Sequence, residues 1–307
     1  MNLKTKQLPS FSFEDGTQVQ DVPVAYRSWG RLNEARDNAV LVCHALTGDT
    51  AVDAWWPDML GPGRALDTDR YFVICANVIG SPYGSLSPLS VCPTKGTRYG
   101  VDFPVPTLRD TVALHKLLLE ALGVRQVAFA IGGSLGGMQV LEWAFHREFV
   151  RGLVPIGVGG RHSAWCIAWS EVQREAIRRD PAWQQGGYPD SASPTDGLSI
   201  ARMIAMISYR SFESFGRRFG REENTTEHPG DFSMESYLRY QGSKFVERFD
   251  ANCYLCLTQS MDTHDVARDR GDYYDVLNSI DQPTLVVGID SDLLYPLTEQ
   301  RELAAQL

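Results

Sequence analysis

Apolar residues in this chain gather in short runs, and the spacing within and between the runs sorts them into strands and helices. Residues 22–26 alternate, as a half-buried strand does. Residues 39–43 (AVLVC) and 71–76 (YFVICA) are nearly unbroken apolar runs, as are 127–131, 153–156 and 284–288. Runs that are apolar on both faces suit central strands of a parallel sheet covered on both sides. Between them the period changes. After Arg109-Asp110-Thr111, the positions Val112, Leu114, Leu117, Leu118 and Leu122 trace a helix that stops at Gly123. Strands alternating with helices predict an α/β architecture with a mostly parallel, doubly wound sheet. Residues 159–280 read differently, with helical patterns, many charges, a turn-rich stretch at 186–191 and no long β-branched run. The predicted organisation is a core over 1–158, a helical lid over 159–280 and the remainder of the core over 281–307.

Composition changes this picture little. With 307 residues, 43% of them hydrophobic and 22% charged, the chain has material for one large domain carrying an insertion. Its net charge of −9 argues against nucleic acid or an anionic membrane as the main partner. No apolar run approaches bilayer length, and residues 1–16 lack the apolar centre of a secretory signal, so the expected location is the cytoplasm. The six cysteines are scattered through apolar segments, as reduced, buried thiols are. Cys253 and Cys256 have CxxC spacing but no second pair, so packing on a helix is the expectation there, and no metal-ligand spacing occurs.

The chemistry is concentrated in three places. Gly132-Gly133-Ser134-Leu135-Gly136-Gly137 contains G-x-S-x-G, directly after the strand at 127–131 and before the helical pattern Met138, Leu141, Trp143 and Ala144. Strand, sharp turn and helix are the context of a nucleophile elbow, in which glycines permit the tight turn and the helix amides face a developing oxyanion. A nucleotide phosphate loop would need G-x-G-x-x-G or a G-K-[ST] ending, and neither is present. Ser134 is thus the expected nucleophile of an α/β-hydrolase fold. Cys43-His44-Ala45-Leu46-Thr47-Gly48 ends an earlier strand, where such folds take their other oxyanion amide, so the backbone N–H groups of Leu46 and Leu135 are the expected hole. His44 is read as ordering that loop, because the fold uses Ser, then Asp, then His in chain order. Asp290 and Asp292 follow the last apolar run, where a triad carboxylate belongs, and spacing alone leaves both open.

These stretches, with YRSWG at 26–30, GSPYGS at 80–85, SYLRYQG at 236–242 and RFDAN at 248–252, make the chain resemble the homoserine O-acetyltransferase family from about residue 20 to 300. The resemblance implies an α/β-hydrolase fold with a helical lid and a homodimer formed through that lid. It implies acyl-CoA, with acetyl-CoA the leading donor, and L-homoserine as substrates, and no cofactor beyond the CoA thioester. Ser134 would be the nucleophile and Asp292 the triad carboxylate. Arg202 matches the family's lid arginine for the homoserine carboxylate, a role that suits a guanidinium fork, and Arg210 is the lesser candidate.

One part of the family pattern is missing. The six histidines (His44, His115, His146, His162, His228 and His264) all precede Asp292, whereas the family carries its catalytic His later, in a Gly-His-Asp stretch. These 307 residues are therefore expected either to be a piece of a longer protein or to have negligible transferase activity, and His264 beside Asp265 is a poor substitute. The rival readings are an acyltransferase acting on serine or a hydroxylated secondary metabolite, a plain esterase, and a non-catalytic protein that keeps the fold. Acetyl and succinyl donors are not distinguished.

Overall fold

Alternation at the start of the chain goes further than residues 22–26. The computed structural model describes residues 2–223 and 230–307. In it strand β1 (Lys4–Ser12) pairs antiparallel with β2 (Gln18–Trp29), Lys4 opposite Tyr26 and Ser12 opposite Gln18. Only Leu8 and Phe11 of β1 are buried. An edge strand with so polar a surface gives no apolar run, which is why hydrophobic patterning passes over it.

The centre of the molecule is built from β3 (Ala39–Cys43), α1 (Val52–Trp55), β4 (Phe72–Ala76), α2 (Leu108–Ala121), β5 (Val127–Gly133), α3 (Leu135–Trp143) and β6 (Leu153–Ile156). The strand order is β1-β2-β4-β3-β5-β6, and β4, β3, β5 and β6 are mutually parallel. Every residue of β3 is buried. Ala39, Leu41 and Cys43 pack into the larger core with Leu114, Leu118 and Val140, while Val40 and Val42 join a second cluster with Val52, Leu60 and Leu66. Two covered faces explain the unbroken apolar run. From β3 the chain moves to β4 on one side and then to β5 on the other, and such a reversal opens a crevice at the carboxyl ends of the strands.

The run at 284–288, expected as a central strand, lies at the edge instead. It is bridged to β6 at two points, Leu153 with Thr284 and Ile156 with Val287, and the Leu285 and Val287 N–H groups donate to Leu153 and Pro155. Among the described residues nothing pairs with its other side, and Leu285 is 62% exposed. Between β6 and this edge lie α4 (Ala164–Arg178), α5 (Thr195–Ser208), α6 (Phe212–Phe219), α7 (Ser233–Val246), α8 (Ala251–Asp262) and α9 (Tyr273–Asn278), and α10 (Leu297–Gln306) follows it. Helices α5 and α7 cross so closely that a Cβ on Gly242 would lie 2.2 Å from Ser199 Oγ. Helix α8 is buried almost end to end, and Cys253 and Cys256 are free thiols packed within it. Among the described residues no helix is long and apolar enough to cross a membrane.

Candidate active site

Ser134 stands where β5 gives way to α3, at φ 55° and ψ −125°. A side chain at positive φ is strained, and such strain persists only where surrounding structure over-determines it. Here the Ser134 N–H donates to Ile156 O at 3.0 Å, and Met138 N–H donates back to Ser134 O at 3.0 Å. Helix α3 meets the end of β3 with no room for a methyl group. A Cβ on Gly136 would sit 2.1 Å from Cys43 O, and one on Gly132 2.6 Å from the same atom. The glycines of the motif are therefore steric requirements of the place where two strand ends and a helix start converge.

That convergence carries the loop after β3 to the serine. Leu46 and Ser134 both line a cavity of about 870 Å³. Leu135 is the first residue of α3, where an N–H has no intrahelical acceptor. Among the described residues neither the Leu46 nor the Leu135 N–H has a hydrogen-bond acceptor. Two amides without acceptors near Ser134 suit an oxyanion there.

His44 lines the same cavity, yet both ring nitrogens are occupied. Nδ1 meets Ala45 O at 2.9 Å, and Nε2 accepts from Val78 N–H at 3.2 Å. An imidazole that donates through one nitrogen and accepts through the other is neutral and fixed, and burial pushes its pKa down. It ties the β3 loop to the β4 loop. His264 is buried against Gly159 O, His115 against Asn77 O, and His162 beside Ser170. Among the described residues no histidine other than His44 lines the cavity, and His228 lies outside them.

The buried histidines have a measurable consequence. Burial lowers the pKa of His44 and His264, and takes His115 to about 4 and His162 to about 3. The unfolded chain takes up these protons near pH 6.5, before the folded chain does, so stability falls as pH drops below ~6.5. The loss continues toward pH 4 for His115 and pH 3 for His162. Each such histidine withdraws up to about 1.4 kcal/mol per pH unit. Melting temperatures at pH 7, 6 and 5 should therefore descend steadily, and a flat profile would mean that these rings are protonated in the fold.

The two acids left open by spacing are separated by their surroundings. Asp290 is exposed and off the cavity wall. Asp292 is on the wall, half-buried, and its Oδ1 accepts from the Leu294 and Tyr295 N–H groups, both at 2.9 Å. Its Oδ2 points toward Gly157, where a Cβ would lie 3.5 Å away, leaving that oxygen for an imidazole. Burial raises the Asp292 pKa, and the two amides pull it back.

Patterning missed what holds this loop. Gln300, buried on α10, accepts from Ile289 N–H at 2.8 Å through Oε1, and its Nε2 donates to Ile289 O and Tyr295 O at 3.2 and 2.6 Å. From α4, Trp165 Nε1 donates to Leu293 O and Cys166 Sγ to Leu294 O. The one available signal was a glutamine on the apolar stripe of Leu297 and Leu303. Tyr295 was missed too; its ring is buried on the cavity wall and its hydroxyl lies beside Ser134.

Arg202 and Arg210 lie at different depths from the cavity. Arg210 is on the cavity wall. Arg202 stands behind it, its guanidinium 5.8 Å from the ring of Tyr209, a wall residue, and 5.1 Å from that of Phe245. Its Nε and Nη1 are buried without a hydrogen-bond partner among the described residues.

Comparison with known proteins agrees with this geometry. Residues 38–307 match the family described as alpha/beta hydrolase fold. A homoserine O-acetyltransferase of Salinibacter ruber is 59% identical over 309 aligned residues, which cover 99% of this chain and 88% of that protein. Among solved structures, homoserine O-acetyltransferase from Bacillus anthracis superposes with a TM-score of 0.90 at 25% identity, covering 100% of this chain and 87% of that one. Esterase E22 also reaches 0.90, at 28% identity, covering 100% and 89%. A serine elbow on a doubly wound sheet, joined to identity of this extent, places the chain in the homoserine O-acetyltransferase family of the α/β-hydrolase fold.

Proposed function

We propose that this chain moves an acyl group, in the first place acetyl, from acyl-CoA to the hydroxyl of L-homoserine through an acyl-Ser134 intermediate. The observation that carries the reading is the strained Ser134 on the wall of a cavity that also holds Asp292 and the unsatisfied Leu46 N–H. In the first half-reaction Ser134 Oγ attacks the thioester carbon, and the Leu46 and Leu135 amides hold the oxyanion of the tetrahedral intermediate. The C–S bond then breaks, and CoA leaves as the thiol. In the second, the homoserine hydroxyl attacks the acyl-serine, and Ser134 regains its proton as the O-acyl product departs. Asp292, with Oδ2 uncommitted, would orient the imidazole that carries the proton between these steps.

The Arg202 guanidinium, buried and short of acceptors, suits the homoserine carboxylate, since a desolvated cation is costly until an anion meets it. The lid would keep water from the acyl-enzyme, whose hydrolysis is esterase chemistry. No cofactor enters these steps. A homodimer through the lid is supported by large apolar side chains exposed there, with Phe212 81% and Tyr240 57% accessible. A cytoplasmic setting accords with six free, buried cysteines.

No imidazole among the described residues has a free nitrogen facing Ser134, so these 307 residues should acylate slowly, by orders of magnitude against a complete triad, and added imidazole should accelerate them. The test is intact-mass measurement after exposure to acetyl-CoA or succinyl-CoA, with and without imidazole, followed by a chase with homoserine or serine. One acyl group on Ser134 that homoserine removes is the expected result. A folded protein that takes up no acyl group under any of these conditions would overturn the reading.

A further inference from the structure

Helix α6 and the turn that leads into it line the cavity with cationic side chains. Arg210 and Ser211, in the turn before α6, and Ser214 and Arg217, three residues apart on it, all lie on the cavity wall. Neither Arg210 nor Arg217 has an ion pair or hydrogen bond among the described residues. A third wall arginine, Arg248, is committed, donating to Thr47 O at 2.9 Å and to the Tyr83 hydroxyl. The carboxylates on the wall are Asp49 and Asp292, and each accepts from backbone amides. Surface arginines normally find acids in a chain of net charge −9. Two that face the cavity with no acid paired to either among the described residues make a local positive field inside an otherwise repulsive protein. Trp55 and Trp56 line the same cavity with ring centroids 4.9 Å apart and their planes tilted by 55°, so either indole offers an aromatic face to a purine.

We propose that Arg210, just before α6, and Arg217, on it, bind the phosphate groups of the acyl donor's nucleotide end, with an indole of Trp55 or Trp56 against its adenine. The assignment rests on the acyl-CoA reading above and adds to it where the donor sits. Guanidinium forks match phosphate oxygens bidentately, and the hydroxyls of Ser211 and Ser214 add donors between them. The site would separate the two substrates by charge: the multiply anionic donor is anchored at α6, and the small acceptor reaches the serine from the side of Arg202. Donor binding should weaken with rising salt, because Arg210 is half-exposed and Arg217 exposed.

The test uses equilibrium binding rather than turnover. Titration of the whole chain with CoA, dephospho-CoA and pantetheine, followed by calorimetry and tryptophan fluorescence, reads the contribution of the phosphates directly. We expect CoA to bind at least about tenfold more tightly than pantetheine, and Arg210→Gln and Arg217→Gln each to cut that preference about tenfold. Arg179→Gln, which removes an exposed arginine paired with Glu175 off the cavity wall, serves as the control and should leave it unchanged. Equal affinity for CoA and pantetheine in the unmodified chain, or a preference that survives both substitutions, would overturn the assignment. CoA binding with the expected preference, in a chain that is never acylated on Ser134, would support the nucleotide site and overturn the transfer reading.

Discussion

Replacing Ser134 with glycine is expected to abolish acylation and to raise the melting temperature of the same protein. The first effect follows from losing the only atom that can carry the acyl group in the proposed mechanism, so no acyl adduct should form with or without added imidazole. The second follows from the backbone. At φ 55° and ψ −125° a serine pays for its Cβ, and strain of this kind costs about 1–3 kcal/mol. Glycine adopts the conformation freely but gives up roughly 0.5–1 kcal/mol in chain entropy, so the net gain is about 1 kcal/mol. Ser134→Ala should be as inactive without being stabilised, because it keeps the Cβ. Intact-mass measurement and calorimetric melts of the three proteins, run side by side, check both halves. If alanine and glycine melt alike, the strain is not at this residue.

A methyl group two residues further on should have the opposite effect. Helix propensity alone favours Gly136→Ala by about 1 kcal/mol. The new Cβ, however, would lie 2.1 Å from Cys43 O and 2.9 Å from Cys43 C. Both are backbone atoms of the central strand β3, which pairs on both sides with β4 and β5 and cannot retreat without breaking those registers. Sterics therefore wins, and we expect a loss of about 3 kcal/mol or more, together with loss of acylation as the elbow shifts. Gly216→Ala in α6 is the matched control. Nothing lies within 4 Å of its Cβ position, so propensity should prevail and stabilise the protein slightly. Urea midpoints of the two variants should move in opposite directions.

How far the sequence could be read depended on how local each feature is. The elbow was legible because strand, glycine-rich turn and helix are contiguous, and the crowding that demands the glycines is a property of that turn. β3 was legible because two buried faces leave no polar positions. β1 was not, since a half-exposed edge strand of Lys, Thr, Gln and Ser has no apolar run to find. Asp290 and Asp292 are two residues apart and chemically identical. What distinguishes them is that one carboxylate receives two amides inside a cavity wall, and only the folded loop shows that. Arg202 came from family resemblance, and its position behind Tyr209 depends on how α5 packs against α7. Gln300 was out of reach for the same reason, because its partners lie eleven and five residues back along the chain and meet it only through tertiary packing.

That glutamine makes the acid's position a property of a helix that never touches the serine. Gln300 replaces a strand partner for Ile289 and Tyr295, and it can do so only while the ten-residue α10 is docked. Short peripheral helices open well before a central sheet does. The position of the proposed acid is thus latched from the periphery, and warming or mild denaturant should displace it while the fold around it still stands.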